Sequence, residues 1–179
     1  MKILLDTCVI YPTVMREMLL GVAAQGVFTP LWSGRILEEW ARAARKIRPE
    51  GETLARGEIA LVQATWPGAE VTWPPSLEAR LWLPDAADIH VLAAAIAGSA
   101  DMICTVNAKD FPRNILAEEG LTRQDPDGFL HGVWQAQPEL VANVAGRVLA
   151  KARDLSGDDW QMRGLLKKAR LPRLAKALG

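Results

Sequence analysis

Hydrophobic and polar positions along the chain form two kinds of segment. Short apolar runs predict strands, in the order KILLD, VFTPLW, EVTW, MICTV and GLTRQ. Longer segments with apolar residues three or four positions apart predict helices, among them TVMREMLLGVAAQG, SGRILEEWARAARKI, GETLARGEIALVQATW and LPDAADIHVLAAAIAG. Because helices alternate with short buried strands, the pattern predicts an α/β domain with a mostly parallel sheet over residues 1–132.

Residues 133–179 carry only helical patterns and are predicted to form a C-terminal helical extension. The segment DDWQMRGLLKKARLPRLAKAL is predicted to be helical throughout. In PELVANVAGRVLAKAR the apolar residues fall on one stripe, so this helix is expected to bury a face against the body or against another chain. The stripe consists of Leu140, Val141, Val144, Ala145, Val148 and Leu149.

Composition limits the size and location of the protein. Half of the 179 residues are hydrophobic, which suits one buried core with an appendage. Cys8 and Cys104 lie in apolar segments without metal-binding spacing, and both are expected to be buried thiols. Charged residues interrupt the N-terminal segment and no apolar run reaches the length of a membrane span, so we expect a soluble cytoplasmic protein.

Charge is unevenly distributed although the formal net charge is zero. Residues 134–179 contain nine Lys and Arg but only four Asp and Glu, so the remaining residues have an excess of acids. A basic extension on an acidic body is suited to bind phosphates or an acidic partner. A helix face that is merely solvated explains the same pattern.

The first predicted strand ends at a carboxylate, Asp6. In open parallel sheets, ligands bind beyond the carboxyl ends of the strands. Asn107 and Asp110 follow the strand MICTV and belong to the same edge, whereas Asp101 precedes that strand and is predicted to be a turn residue at the opposite edge. The sequence therefore predicts a polar site around Asp6.

Helix geometry separates two adjacent glutamates. At about 100° per residue, Glu39 borders the buried face that includes Trp40, whereas Glu38 points to water and can pair with Arg42. A carboxylate at the edge of a buried face needs a partner. Alternatively, Glu39 extends past the rim into solvent.

Two further acids precede the helix IHVLAAAI. Asp88 lies on its apolar face, and the same helical wheel places His90 on the far side. Asp85 is predicted to be the N-cap residue that follows Pro84. Asp88 can be a site residue or can complete a capping box.

Together, the sheet and helix arguments bring Asp6, Glu39, Asp88 and Asp110 toward one edge of the sheet. Clustered carboxylates without His or Cys favour Mg²⁺ or Mn²⁺. These ions also bind phosphate oxygens, so the expected chemistry is phosphodiester hydrolysis.

Four motifs, LLDTCVI, WSGRILEEW, LPDAADIHVLAAA and TVNAKDF, resemble in order and spacing those of PIN-domain nucleases, particularly VapC-like toxins of toxin–antitoxin pairs. The resemblance implies a three-layer α/β/α Rossmann-like fold and cleavage of RNA that depends on Mg²⁺ or Mn²⁺. It also implies frequent homodimerisation, inhibition by a cognate antitoxin and, on one branch, a helical C-terminal extension. Asp6, Glu39 and Asp88 match the acids of the family pattern.

The fourth acidic position departs from the pattern, because Asn107 stands where many members have Asp. Asn107 is a candidate metal ligand without charge, so either Asp110 supplies the charge or a second metal is weakly held. Thr7, Thr105 and Asn107 are candidate substrate contacts, although Thr105 can equally have a capping or turn role. Further candidate contacts to RNA lie in the basic extension, at Lys167, Lys168 and Arg170, and at two tryptophans, Trp82 and Trp160.

Other functions explain the sequence less well. A haloacid-dehalogenase-type phosphatase needs a second Asp where this chain has Cys8. A serine hydrolase needs a nucleophile elbow, and neither that motif nor a glycine-rich phosphate loop is present. His90 and His131 are predicted to be surface or packing residues. A PIN-like module that binds nucleic acid or a partner without catalysis remains open, because of Asn107.

Overall fold

The computed structural model describes all 179 residues. Its sheet has four strands in the order β2-β1-β3-β4, and β1 pairs in parallel with both β2 and β3. The α/β class and the parallel sheet are thus confirmed. The predicted strand EVTW is wrong, because only an isolated bridge between Trp32 and Glu70 forms there. The strands are β1 Lys2–Leu5, β2 Thr29–Leu31, β3 Met102–Cys104 and β4 Thr122–Gln124.

Eleven α-helices and one short 3₁₀ helix, Ala86–Asp88, connect and follow the strands. None of the helices combines the length and the apolar character that a bilayer crossing requires. In chain order the α-helices are α1 Thr7–Ile10, α2 Thr13–Ala23, α3 Gly34–Ile47, α4 Gly51–Thr65, α5 Pro75–Ala79, α6 Ile89–Ala97, α7 Arg113–Glu118, α8 Pro126–Ala136, α9 Pro138–Ser156, α10 Met162–Lys168 and α11 Pro172–Leu178.

The chain divides into two compact units. The first contains residues 1–11 and 28–123, and the second contains residues 12–27 and 124–179. Helix α2 therefore belongs to the same unit as α8 to α11. The domain boundary after residue 132 stays a prediction.

The core of the first unit surrounds β1. Ile3, Leu4 and Leu5 are completely buried, as expected for a central parallel strand that is covered on both faces. Helix α6, which packs on β1, is buried from His90 to Ala95. A helix buried on every side has no polar face, and this bears on the site described below.

The second unit is built on the pair α2 and α9. Four residues of the predicted α9 stripe are buried, namely Val141, Val144, Ala145 and Val148. Gly21 of α2 allows the two helices to approach closely, because a Cβ atom at this position would lie 2.6 Å from Cγ1 of Val144. The prediction that α9 buries its apolar face is confirmed.

The helix predicted after residue 157 is interrupted. Chain segments α10 and α11 are separated by Ala169, Arg170 and Leu171, and Arg170 has a φ of 61°. This left-handed conformation cannot continue an α-helix, and Pro172 then begins α11 at a position where its missing N–H costs nothing. The buried carboxylate of Asp127 in α8 accepts hydrogen bonds from the backbone N–H of Arg173 and Leu174, which fixes the start of α11.

Candidate active site

Asp6 lies directly beyond the carboxyl end of β1. This strand lies between β2 and β3, so the order of the strands reverses direction at β1. Ligand sites of parallel sheets form at such switch points. The Asp6 side chain is 6% exposed and caps α1, accepting a 2.7 Å hydrogen bond from the Thr7 backbone N–H. Packing and capping thus fix the carboxylate at this edge.

Thr105, which follows β3, orients Asp6. Its hydroxyl donates to Oδ2 of Asp6 at 2.7 Å and accepts from the backbone N–H of Asn107 at 3.0 Å. Asn107 in turn donates from Nδ2 to Oδ2 of Asp88 at 3.3 Å. A continuous chain of hydrogen bonds therefore links Asp6 to Asp88.

The Cys8 thiol also donates to Oδ2 of Asp6, the oxygen that accepts from Thr105, at 3.2 Å. Burial, together with the negative charge of Asp6, raises the pKa of Cys8 to about 12. With this raised pKa the Cys8 thiol is protonated and acts as a hydrogen-bond donor to Asp6.

Asp85, Asp88 and Asp110 form an acidic cluster, in which the nearest carboxylate oxygens all lie within 4.8 Å of one another. Burial and the neighbouring charges, above all that of Asp6, raise the pKa of Asp88 to about 6. Like charges at this distance repel unless a proton or a cation is bound. A bound cation would therefore relieve the repulsion within the cluster.

Glu39 is held at both of its oxygens. His90 Nε2 lies 2.8 Å from Oε1, and the Thr7 hydroxyl donates to Oε2 at 2.6 Å. Burial alone would raise the pKa of Glu39, but these two hydrogen bonds outweigh it and hold the pKa below its usual value. Glu39 is therefore an ionised carboxylate with a fixed orientation.

Of the two roles predicted for His90, surface residue or packing residue, the structure shows the second. Its side chain is 1% exposed, and its Nδ1 atom has no hydrogen-bond partner. Because α6 is buried on every side, the position opposite the apolar stripe also lies inside the protein. His90 connects α6 to α3 through Glu39.

Glu38 differs from Glu39 in its partners rather than in its exposure. The two side chains are 40% and 37% exposed, but Glu38 pairs with Arg42 and with Arg56 of α4. The predicted pair with Arg42 is confirmed at 3.2 Å.

Asp101 accepts a hydrogen bond from the backbone N–H of Lys2, at the start of β1, and so lies at the edge of the sheet opposite the site, as predicted.

The structure brings the four sequence-predicted acids together only in part. Asp88 and Asp110 share the acidic cluster, Asp6 is linked to it through Thr105 and Asn107, and Glu39 faces His90 and Thr7.

Sequence reasoning missed Asp85 as a member of the cluster. Asp85 caps the 3₁₀ helix as predicted, since it accepts a hydrogen bond from the Ala87 N–H at 2.9 Å. Because this role explains an Asp at that position, its place in the acidic cluster was not predicted. Its spacing of three residues from Asp88, which places both on one helix face, was the available signal.

The donor set fits a hard divalent cation. The cluster offers only carboxylate oxygens, which Mg²⁺ and Mn²⁺ prefer, and it has no His or Cys that would select zinc. Asp110 lies in this cluster with Asp85 and Asp88, whereas Asn107 contacts it by donating a hydrogen bond to Asp88. Among the tryptophans, Trp82 is 64% exposed, whereas Lys168 lies 4.8 Å from the centre of the Trp160 ring. The predicted roles of the tryptophans and of Thr7, Thr105 and Asn107 in substrate binding stay predictions.

The family model described as PIN domain matches residues 2–109, which is more than half of the chain. The matched range includes Asp6, Glu39, Asp85 and Asp88 and ends one residue before Asp110. No curated protein and no solved structure gave a match.

Proposed function

The chain belongs to the PIN-domain family, whose fold is that of nucleases, and we propose that it is an endoribonuclease that requires Mg²⁺ or Mn²⁺. The cluster of Asp85, Asp88 and Asp110 beside Asp6 supports this proposal most directly. A divalent cation bound there supplies a Lewis acid for a phosphodiester and lowers the pKa of a water molecule.

The residues around the cluster have separable roles in this proposal. Asp6, Asp88 and Asp110 hold the cation, with Asp85 as a further oxygen donor. Thr105 and Asn107 orient Asp6 and Asp88, so the carboxylates need little rearrangement when they bind a cation or substrate. Glu39 provides a fixed negative charge at the edge of the site, and His90 positions it.

A module without catalysis is the weaker proposal. It was motivated by Asn107, but this residue donates a hydrogen bond to Asp88 while Asp110 completes the cluster. The acidic charge is therefore relocated along the loop rather than lost.

Replacement of Asp6 by Asn tests the nuclease proposal. Asn keeps the shape and the N-cap but removes the charge, so we expect the fold to persist and hydrolysis of single-stranded RNA to be lost in Mg²⁺ and in Mn²⁺. Asp101→Asn is the matched control, because it removes a carboxylate at the opposite edge of β1. Equal cleavage rates for wild type and Asp6→Asn would contradict the proposal.

We extend the proposal to the toxin of a toxin–antitoxin pair, which acts as a homodimer and is inhibited by a cognate antitoxin. The motif resemblance supports this role. Induced expression of the wild-type chain in a bacterial host should arrest growth, whereas Asp6→Asn at the same level should not. Growth arrest by both proteins, or by neither, contradicts the toxin role.

A further inference from the structure

The last two helices carry a cationic surface without acids. Between residues 161 and 179 the chain has no Asp or Glu. All the Lys and Arg residues of this segment are exposed, and together they are called the α10–α11 surface. This surface consists of Arg163, Lys167, Lys168, Arg170, Arg173 and Lys176.

These cations differ from the arginines of the first unit, which are commonly neutralised within the protein. Arg56 bonds both Glu38 and Glu52, and Arg80 forms two hydrogen bonds with Glu119. None of the side chains of the α10–α11 surface has a carboxylate within 4.0 Å. Their charge is available to a ligand.

The concentration of charge on this surface costs stability. Arg163 and Lys167 lie four residues apart on α10, where like charges repel and destabilise a helix. Arg170 has a φ of 61° and is the left-handed residue of the motif that ends α10, in which its own N–H bonds the Lys167 carbonyl and the Leu171 N–H bonds the Leu166 carbonyl. These two hydrogen bonds fix the backbone of an exposed cation at the junction of α10 and α11.

Helices α10 and α11 hold these cations on a rigid support. Leu165 and Leu166 of α10 and Leu174 of α11 are buried, and Asp127 fixes the start of α11. Because the support is formed in advance, binding at this surface does not require a segment to fold.

The surface chemistry favours a polyanion over a membrane or a protein partner. The large apolar side chains of α10 and α11 are mostly buried, whereas membrane-binding helices expose an apolar face and protein interfaces need an apolar centre. Trp160, at the start of this segment, is half-buried with Lys168 above its ring, an aromatic and cationic combination that suits a nucleobase and its phosphate.

We propose that the α10–α11 surface, together with Trp160, binds the phosphate backbone of single-stranded RNA. The identity of this polyanion rests on the proposed ribonuclease function. The charge and the exposure of the surface are independent of the acidic cluster.

Neutralisation of the surface tests the proposal. The variant Lys167→Gln, Lys168→Gln, Arg170→Gln is made in the Asp6→Asn background with EDTA present, so that the probe, a short fluorescent oligouridylate, is not cleaved. We expect its affinity to fall at least about tenfold and the slope of log K against log salt to flatten by about 2, since each lost phosphate contact contributes about 0.7.

The control makes the same change of charge elsewhere. Arg45, Lys46 and Arg48 are exposed at the end of α3, and their replacement by Gln should leave both the affinity and the salt slope near the parent values. Thermal unfolding of both triple variants verifies that they are folded. Equal effects of the two triple variants overturn the proposal.

Two further results separate the alternatives. If oligouridylate binding is unchanged while binding of polyglutamate is lost, the surface serves an acidic protein and the proposal is wrong. Cleavage by the wild-type chain is measured separately. Absence of cleavage with intact salt-dependent binding contradicts only the nuclease function, whereas cleavage with binding unaffected by the triple variant contradicts only the proposal for this surface.

Discussion

His90 Nε2 lies 2.8 Å from Oε1 of Glu39 and joins the buried helix α6 to the amphipathic helix α3. The histidine is almost inaccessible, and the other Glu39 oxygen accepts from Thr7, the residue next to Asp6. The orientation of Glu39 is therefore coupled to both helices and to the end of β1. Replacement of His90 should affect the site without removing any of its acids.

His90→Ala should destabilise the protein by about 1–3 kcal/mol, because it leaves a half-buried carboxylate without its partner. It should also lower the affinity for Mn²⁺. Gln provides a side-chain N–H donor, so His90→Gln is expected to restore much of this affinity. Denaturant unfolding and Mn²⁺ titration measure the two effects. If Gln and Ala variants bind Mn²⁺ equally, the role of His90 is packing alone.

Glu38 and Glu39 provide a comparison of neighbours with similar exposure. Glu39→Ala should lower Mn²⁺ affinity and the rate of RNA cleavage, because it removes the fixed charge that is bonded to Thr7, the residue next to Asp6. Glu38→Ala removes contacts to Arg42 and Arg56 and should change only stability, by a small amount that decreases with added salt. Isothermal titration and cleavage assays on both variants test this. The opposite order of effects would place the metal on the other side of α3.

The raised pKa of Asp88 predicts that the stability of the folded protein depends on pH in an unusual direction. Its pKa of about 6 in the folded protein lies above the ordinary value of 3.8, so the folded state binds its proton more tightly than the unfolded state does. Between about pH 4 and pH 6 the contribution of Asp88 to the free energy of unfolding must therefore fall as pH rises. In EDTA, the free energy of unfolding of wild type minus that of Asp88→Asn should decrease across this window. A difference that is constant or increases would contradict the raised pKa.

The sequence predicted the position of Glu39 because α3 is amphipathic, and such a helix has one buried face that a helical wheel can locate. The same procedure could not decide between a surface and a packing role for His90, since α6 is buried on all sides and its environment depends on the elements packed around it. The sequence pattern contains no information about what covers the second face of a helix.

Two other differences arise from tertiary context. Asp85 was explained by its role as an N-cap, and only the fold shows that a capping carboxylate also lies beside Asp88 and Asp110. The end of α10 was not predicted, because a left-handed residue at the end of a helix is usually glycine and this position is Arg170. Local signals identify the usual residue at such a position and miss an exception.

Arg170 gives a prediction that separates stability from binding. Arg170→Gly should stabilise the protein by about 1 kcal/mol, because glycine adopts a φ of 61° without a Cβ penalty. Ser99 is the matched control, because it is the other non-glycine residue with positive φ, at 52°, and it carries no charge. Ser99→Gly should give a similar stabilisation.

Oligouridylate affinity in the Asp6→Asn background should fall for Arg170→Gly and stay constant for Ser99→Gly. If both glycine variants are stabilised and both bind RNA as tightly as the parent, the strain at Arg170 is unrelated to nucleic acid. A loss of RNA affinity for Arg170→Gly alone indicates that the Arg170 cation contributes to phosphate binding, although its left-handed conformation serves to end α10.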